Sequence, residues 1–311
     1  MNSEMNSGIK SEIDSTSNSE INSLLRSFLF VPALKTQYVA KAIALKPDVA
    51  VVDLEASVPE HQKEQALNTL PESIAAFKAA KQRVYVRVNR ERLQDYTVAV
   101  MEGANGIIFP CAETEAQITR AIDLIADSAI SAGRKPEDIA LMPLVETPLG
   151  IVNLQRIIAH HKKLAGIFFG AEDFVQQLGR GVEPTTTALF NGAWQVSVTA
   201  SAYGLPAYGL CGSIANFQDE QGFRDLCQQA KAIGLLGCPV IHPRQLAIVE
   251  EVFSPSDSEI ASANEVIEAF EAADFSTIAL KGRMIDYPIY YRAKALVAFA
   301  ADSNNKKAGV S

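Results

Sequence analysis

A TIM (β/α)8 barrel with a helical extension at its C-terminal end is the fold this sequence predicts. Three observations predict it. Eight short apolar runs alternate with helix-length segments between Phe28 and Phe253. Those runs are mostly continuous rather than alternating in polarity, as strands of a parallel sheet are when helices cover them. And no GxGxxG follows the first run, while a doubly wound sheet usually stops nearer about six strands.

The strands are expected at FLFVPA (28–33), DVAVVDL (48–54), RVYVRVN (83–89), GIIFPCA (106–112), IALMPLVET (139–147), AGIFFGAED (165–173), LPAYGLCG (205–212) and CPVIHP (238–243). Helical stretches fall between them at 35–46, 60–80, 92–103, 113–132, 150–163, 186–203 and 217–235, and IHPRQLAIVEEVF (241–253) follows the eighth strand. Within PESIAAFKAAK (71–81), Ile74, Phe77 and Lys78 recur at helical spacing. The barrel is thus expected over 24–253. A different composition follows: SPSDSEIASANEVIEAFEAAD (254–274) opens on Ser and Asp caps and continues as an amphipathic helix. GRMIDYP (282–288) reads as a turn and YRAKALVAFAA (291–301) as a last helix, so 254–311 is an appendage rather than a second domain.

The 311 residues suit one barrel of roughly 250 residues plus extensions. A net charge of −8 argues against non-specific nucleic-acid binding, though not against a local pocket for a small anion. The four cysteines, Cys111, Cys211, Cys227 and Cys238, show no CxxC spacing, which makes a reducing cytoplasm the simpler expectation. No apolar stretch approaches the roughly 18 residues of a spanning helix. Residues 1–23, rich in Ser, Asn and Glu, lack the apolar core of a secretory signal and the arginines of a transit peptide, and read as a disordered tail.

Active sites of such barrels form at the carboxyl ends of the strands. Placed there, Asp53 and Glu55 end strand 2, Arg87 and Asn89 end strand 3, Glu146 ends strand 5 and Asp173 ends strand 6, with Arg26 beside strand 1. Two carboxylates with water and substrate completing the shell suit Mg2+, or Mn2+. Glu146 and Asp173 each admit a second reading, as acids satisfied by the amides of the next helix. Together, with Arg87 opposite, they favour a metal site. Arg87 also admits a structural role neutralising Asp53 or Glu55, and the two roles do not exclude each other. His160 and His161 are adjacent and cannot share a helix face; His61 reads as a helix-start residue and His242 as a packing or hydrogen-bonding one.

The stretches RSFLFVP (26–32), VVDLEASV (51–58), VYVRVN (84–89), PLVETPLGI (143–151), FFGAEDFVQQLG (168–179), GLLGCPVIHPRQL (234–246), EVFSPSDSEIAS (251–262) and GRMIDYP (282–288) closely resemble, in order, the citrate lyase β-subunit-like group of the HpcH/HpaI aldolase and citrate lyase superfamily. The resemblance implies a usually trimeric TIM barrel that binds Mg2+ and acyl-CoA and cleaves or forms the carbon–carbon bond of malyl-, citramalyl- or citryl-CoA. It implies Glu146 and Asp173 as metal ligands and Arg87 as the residue that binds the oxo acid; from their placement at the strands, Arg26 and Glu146 are expected beside Arg87 around the substrate. It implies Asp286, otherwise a turn residue, as the acid/base contributed to a neighbouring subunit's site.

The chain departs from the group's pattern at three places. Ala56 stands where DLED has its second acid, Cys111 follows Pro110 where Pro-Lys is common, and Gly209 lies near a frequent Asp. Three readings therefore stand beside one another: a Mg2+-dependent lyase on a 3-hydroxyacyl-CoA ester, a CoA-independent aldolase on oxo acids, and a catalytically altered binding relative.

Overall fold

Residues 25–179 and 187–308 are described by a computed structural model, and the expected tail over 1–23 lies outside them. The chain divides into two compact units, Met1–Val249 and Glu250–Ser311.

The first unit is the barrel. Its strands are β1 (Ser27–Pro32), β2 (Val49–Asp53), β3 (Val84–Arg87), β4 (Gly106–Phe109), β5 (Ala140–Val145), β6 (Ile167–Phe169), β7 (Ala207–Gly209) and β8 (Cys238–Val240). All pair in parallel, in the order β7-β6-β5-β4-β3-β2-β1-β8. The N–H of Leu236 donates to Ala207 O and that of Gly209 to Gly237 O, both at 2.9 Å, which joins β7 to the approach of β8 and closes the ring. Inward-facing Phe28, Val51, Tyr85, Met142, Phe168 and Tyr208 fill the interior, with Phe28 edge-on to Phe168 at 4.7 Å and to Tyr208 at 4.9 Å. The interior is therefore a packed core, and space for a ligand is left only above it.

Helices α1 (Val39–Leu45), α2 (Lys63–Ala79), α3 (Leu93–Glu102) and α4 (Glu115–Ser131) follow the first four strands. Pro71 lies inside α2, and Thr114 with Gln117 forms a capping box that starts α4. After β5 come α5 (Pro148–Val152), α6 (Leu154–Ile157) and a 3-10 turn to Lys163. After β6 come two helices, α7 (Ala171–Leu178) and α8 (Thr187–Ala202); then α9 (Glu220–Ala232) follows β7, and α10 (Pro243–Phe253) follows β8. The sequence reading expected one helix after β6 and ran that strand on to Asp173. The strand instead ends at Phe169, because Gly170 turns the chain directly into α7.

The second unit holds α11 (Asp257–Ala272), the antiparallel hairpin of β9 (Ile278–Leu280) and β10 (Arg283–Ile285), and α12 (Tyr287–Ala308). Ser256 and Glu259 form the capping box of α11. The hairpin was expected only as a turn. Lys281 and Gly282 at its tip both have positive φ, 49° and 78°, the geometry of a two-residue hairpin loop. Phe270, Ile285 and Tyr290 form the small core of this unit. Among the described residues, no helix is long and apolar enough to cross a membrane.

Candidate active site

A cavity of about 470 Å3 opens at the carboxyl ends of the strands, lined entirely by residues of the first unit. Its floor is the top of the barrel core, with Phe30, Ile108, Leu144 and Phe168. Its polar wall carries Asp53, Arg87, Glu146, Glu172 and Asp173.

Register places the first pair. Asp53 and Arg87 are partners in the β2–β3 ladder, so their side chains leave the same face of the sheet as neighbours. Arg87 grips Asp53 with two parallel bonds, Nε to Oδ1 at 2.7 Å and Nη2 to Oδ2 at 2.8 Å. Its Nη1 lies 3.3 Å from Glu55 Oε2, and its guanidinium sits 5.0 Å from the centre of the Phe30 ring. Asp53 also accepts the N–H groups of Glu55 and Ser57 at 3.0 Å each. Burial alone would raise the Asp53 carboxyl, but Arg87, Ser57 and the Glu55 amide outweigh it and hold the group below its ordinary value. Burial opposes the charge of Arg87 too, and Asp53 and Glu55 more than compensate, so it stays charged. Arg87 thus neutralises Asp53 and also lines the cavity.

Glu146 follows β5 directly, and Thr147 then caps α5 by accepting the Gly150 N–H at 2.9 Å, with Pro148 as first helical residue. The cap fixes where the strand stops, and so where Glu146 points. The carboxylate is 3% exposed. Its Oε1 accepts the Cys111 N–H at 2.8 Å and the Cys111 thiol at 3.3 Å. Cys111 presents that N–H from a left-handed backbone with φ of 48°, a conformation unusual outside glycine. Burial pushes the Glu146 carboxyl up to about 8, and the charge of Asp173 adds to the rise, against Cys111 and Arg87. Burial likewise raises the Cys111 thiol, with Glu146 adding to it, so the sulfur stays protonated at neutral pH.

Asp173 stands in the first turn of α7, half-buried. Helix dipoles favour an acid there, but no hydrogen bond or ion pair holds its carboxylate among the described residues. The capping role is instead left to the Gly170 backbone, with no side-chain cap. Its neighbour Glu172 accepts a hydrogen bond from Ser213 Oγ. Glu146 and Asp173 thus line one cavity, and the charge of Asp173 makes the buried Glu146 harder to ionise. Among the described residues no three His, Cys, Asp or Glu side chains converge on one metal. A pair of carboxylates with the remaining positions open is the donor set of a Mg2+ site completed by water and substrate, so the residues present fit that ion.

Arg26 is a correction. The expectation placed it among the substrate-binding residues, but it precedes β1 at the amino-terminal end of the barrel, about 20 Å of strand from the mouth. There Nε and Nη2 hold Asp48 at 3.0 Å each, and its carbonyl accepts the Cys238 N–H. Both side chains are less than a tenth exposed. This is a buried structural pair. Asp286 lies in the second unit, where Oδ1 accepts the Ile289 N–H at 3.4 Å at the start of α12. His242 stacks on Phe217 at 4.6 Å, a packing role.

Sequence reasoning missed three supports of the site. Lys63 is buried and its Nζ donates to Leu54 O at 3.0 Å and Glu55 O at 2.6 Å, propping the loop after β2. Gln245 accepts the N–H groups of Ile241 and His242 and donates to Ile214 O, tying two lips of the cavity together. Gly170 lets Glu146 pass over it: a Cβ there would stand 2.7 Å from Glu146 Cβ. Only the last left a trace in the sequence, as the glycine that breaks the FFGAED run.

Residues 26–243 match the family described as HpcH/HpaI aldolase/citrate lyase. The chain belongs to this family. Among its relatives, the (3S)-malyl-CoA thioesterase of Cereibacter sphaeroides (strain ATCC 17023) is 33% identical over 256 residues, spanning 80% of this chain and 84% of that protein. The mitochondrial citramalyl-CoA lyase of Mus musculus is 30% identical over 299 residues, spanning 90% and 87%. The crystal structure of protein CitE from Mycobacterium tuberculosis in complex with magnesium, acetoacetate and coenzyme A superposes with a TM-score of 0.72 at 26% identity, covering 90% of this chain and 99% of that one. The HpcH/HpaI family match ends at residue 243, so it spans the barrel strands and leaves the second unit outside.

Proposed function

We propose that the protein is a Mg2+-dependent carbon–carbon lyase that cleaves or forms a 3-hydroxyacyl-CoA thioester of the malyl-, citramalyl- or citryl-CoA type through a thioester enolate. The observation that carries this reading is the pair Glu146 and Asp173, lining one cavity beside an arginine fixed by Asp53. Family membership and the thioester substrates named for the relatives support it.

Glu146 and Asp173 would hold the cation, Mg2+ or in its place Mn2+, which when bound supplies Lewis-acid polarisation of the oxo group. Glu146 is pre-set for this: Oε1 is spent on Cys111, and Oε2 is engaged by no hydrogen bond among the described residues. Arg87 has five N–H donors, of which Asp53 takes two and Glu55 faces a third. The remaining two face the planar oxo acid, and the Asp53 grip keeps the guanidinium from turning. In cleavage the 3-hydroxyl would give its proton to solvent in the cavity mouth and become the oxo group. The C2–C3 bond breaks with its electron pair left on the thioester α-carbon, and that carbon then takes a proton. The resemblance to the citrate lyase β-subunit-like group implies that Asp286 of a second copy, in a homotrimer, exchanges the α-carbon proton. The free thiols Cys211, Cys227 and Cys238, all buried, suit the reducing cytoplasm as its compartment.

The test is direct. The full chain is given malyl-, citramalyl- or citryl-CoA and Mg2+, and acetyl-CoA and oxo acid are measured. Chelation should abolish the reaction and Mg2+ restore it, and Asp173→Asn should abolish the Mg2+-dependent activity while leaving the fold intact. Failure to cleave or form any of the three esters would sink the lyase reading. The thioesterase relative favours a second reading, hydrolysis of the same ester. Release of free CoA with intact hydroxy acid, rather than acetyl-CoA, would establish it.

A further inference from the structure

The cavity also limits which oxo acid it accepts. Its charges, among the described residues, are four carboxylates and one cation. That cation, Arg87, has three of its five donors turned to Asp53 and Glu55. The two that remain match a single carboxylate or oxo edge. Among the described residues, every other part of the wall is apolar, anionic or a small uncharged residue. The floor is Phe30, Ile108, Leu144 and Phe168, and the buried Leu210 and the exposed Ile241 also line the cavity. At the position where the group's strand-2 motif carries a second acid, Ala56 faces the cavity with only a methyl group.

We infer that the oxo-acid half of the substrate bears one carboxylate and an uncharged alkyl side group, which packs on the apolar wall of Phe30, Ile108, Leu144, Phe168, Leu210 and Ile241. This rests on the lyase reading above and names its substrate class. The cation held by Glu146 and Asp173 and the two remaining Arg87 donors would be taken up by the oxo group and its own carboxylate, so a second carboxylate would be desolvated against hydrocarbon or set beside Glu172. Such a group loses its water without gaining a partner. An alkyl group on the same carbon gains burial at no such cost. The cavity's volume of about 470 Å3 leaves room for more than a methyl group.

The experiment uses the full chain with Mg2+. Titration calorimetry measures affinity for pyruvate, 2-oxobutyrate, oxaloacetate and 2-oxoglutarate, and a parallel assay measures kcat/KM for their condensation with acetyl-CoA. We expect 2-oxobutyrate to bind at least as tightly as pyruvate, and at least tenfold more tightly than either dicarboxylate. Ile241 is partly exposed at the rim, so Ile241→Arg adds a cation without burying it, and should raise dicarboxylate affinity at least fivefold. A preference under tenfold in the wild type, a drop from pyruvate to 2-oxobutyrate, or no gain in Ile241→Arg overturns the inference. Selective binding without condensation overturns the lyase reading and leaves the pocket assignment standing, while binding of no oxo acid overturns both.

Discussion

Gly170→Ala is the smallest change that reaches the centre of the site. Gly170 has φ of −102° and ψ of 106°, which alanine adopts freely, so backbone strain contributes nothing. The cost is contact. The new Cβ would stand 2.7 Å from Glu146 Cβ, 2.8 Å from Glu146 Oε2 and 3.1 Å from Leu144 Cδ1. Carbon atoms rest at about 3.5 Å or more, so against 2.7 Å the gap must open by about 0.8 Å. The Oε2 contact could relax by rotation of the Glu146 side chain, but the Cβ contact cannot, because that atom is rooted at the end of β5. Gly170 N–H also donates to Val145 O at 2.9 Å, so the two chains are stitched together where they must part. Overpacking of this kind costs about 1–3 kcal/mol, a fall in Tm of several degrees. Activity should suffer more than stability, since a shift of about 1 Å in a catalytic group can cost on the order of a hundredfold. Thermal unfolding, Mg2+ titration and kcat/KM on the same preparation separate the two effects. A variant with wild-type Mg2+ affinity and kcat/KM within twofold of wild type would refute the claim that Glu146 is held against Gly170.

Three further outcomes are expected. Asp53→Asn should cost about 3–5 kcal/mol, because Arg87 loses its buried partner. The Asp53 carboxyl sits below its ordinary 3.8 in the folded chain. Its stabilisation is therefore fully present above about pH 5 and lost as pH falls through the folded value, and the variant should lack that part of the acid-unfolding slope in pH-dependent melts. Arg26→Met should lower Tm, leaving Asp48 buried without its guanidinium, yet keep KM for substrate unchanged; a raised KM with an unchanged Tm would return Arg26 to the site. Asp286→Ala should leave Mg2+ binding intact and abolish solvent deuterium exchange into acetyl-CoA, and unchanged exchange would remove Asp286 from the mechanism.

The barrel was legible because its strands are buried on both faces and so read as apolar runs whose order and number need no tertiary information. Glu146 was legible for the same reason, as an acid closing ALMPLV with a Thr-Pro helix start behind it. Asp173 was found for partly the wrong reason. The run FFGAED looks continuous, but Gly170 divides it, and the acid is delivered by a helix turn rather than a strand end. Arg26 failed because a strand's two ends look alike in sequence. Only the register, which pairs Pro32 with Asp53 and Ser27 with Cys238, tells top from bottom. Lys63 and Gln245 left no trace, since their work is hydrogen bonding to backbone carbonyls and amides that the chain brings near only on folding. The β9–β10 hairpin escaped because three residues are too few to show an alternation.

The three positions that set this chain apart from its group do different physical work, and only one of them bears on substrate. Cys111 replaces a long cation with a short thiol, and its N–H and sulfur both close on Glu146 Oε1. That exchange removes a positive charge from the rim and turns the residue into a clamp on a metal-ligand candidate. Gly209 has φ of 145°, and a Cβ there would meet Phe169 O at 2.8 Å. The β6–β7 approach is therefore built for glycine, and an acid could not be restored without parting the strands. Ala56 alone opens on the cavity without touching the framework. Relative to the pattern of the group it resembles, a chain with Ala56, Cys111 and Gly209 lacks three groups that could hydrogen-bond a polar side group. What is left beside the carboxylate pair is hydrocarbon, and this is why the argument about the oxo acid turns on its side group and not on the metal.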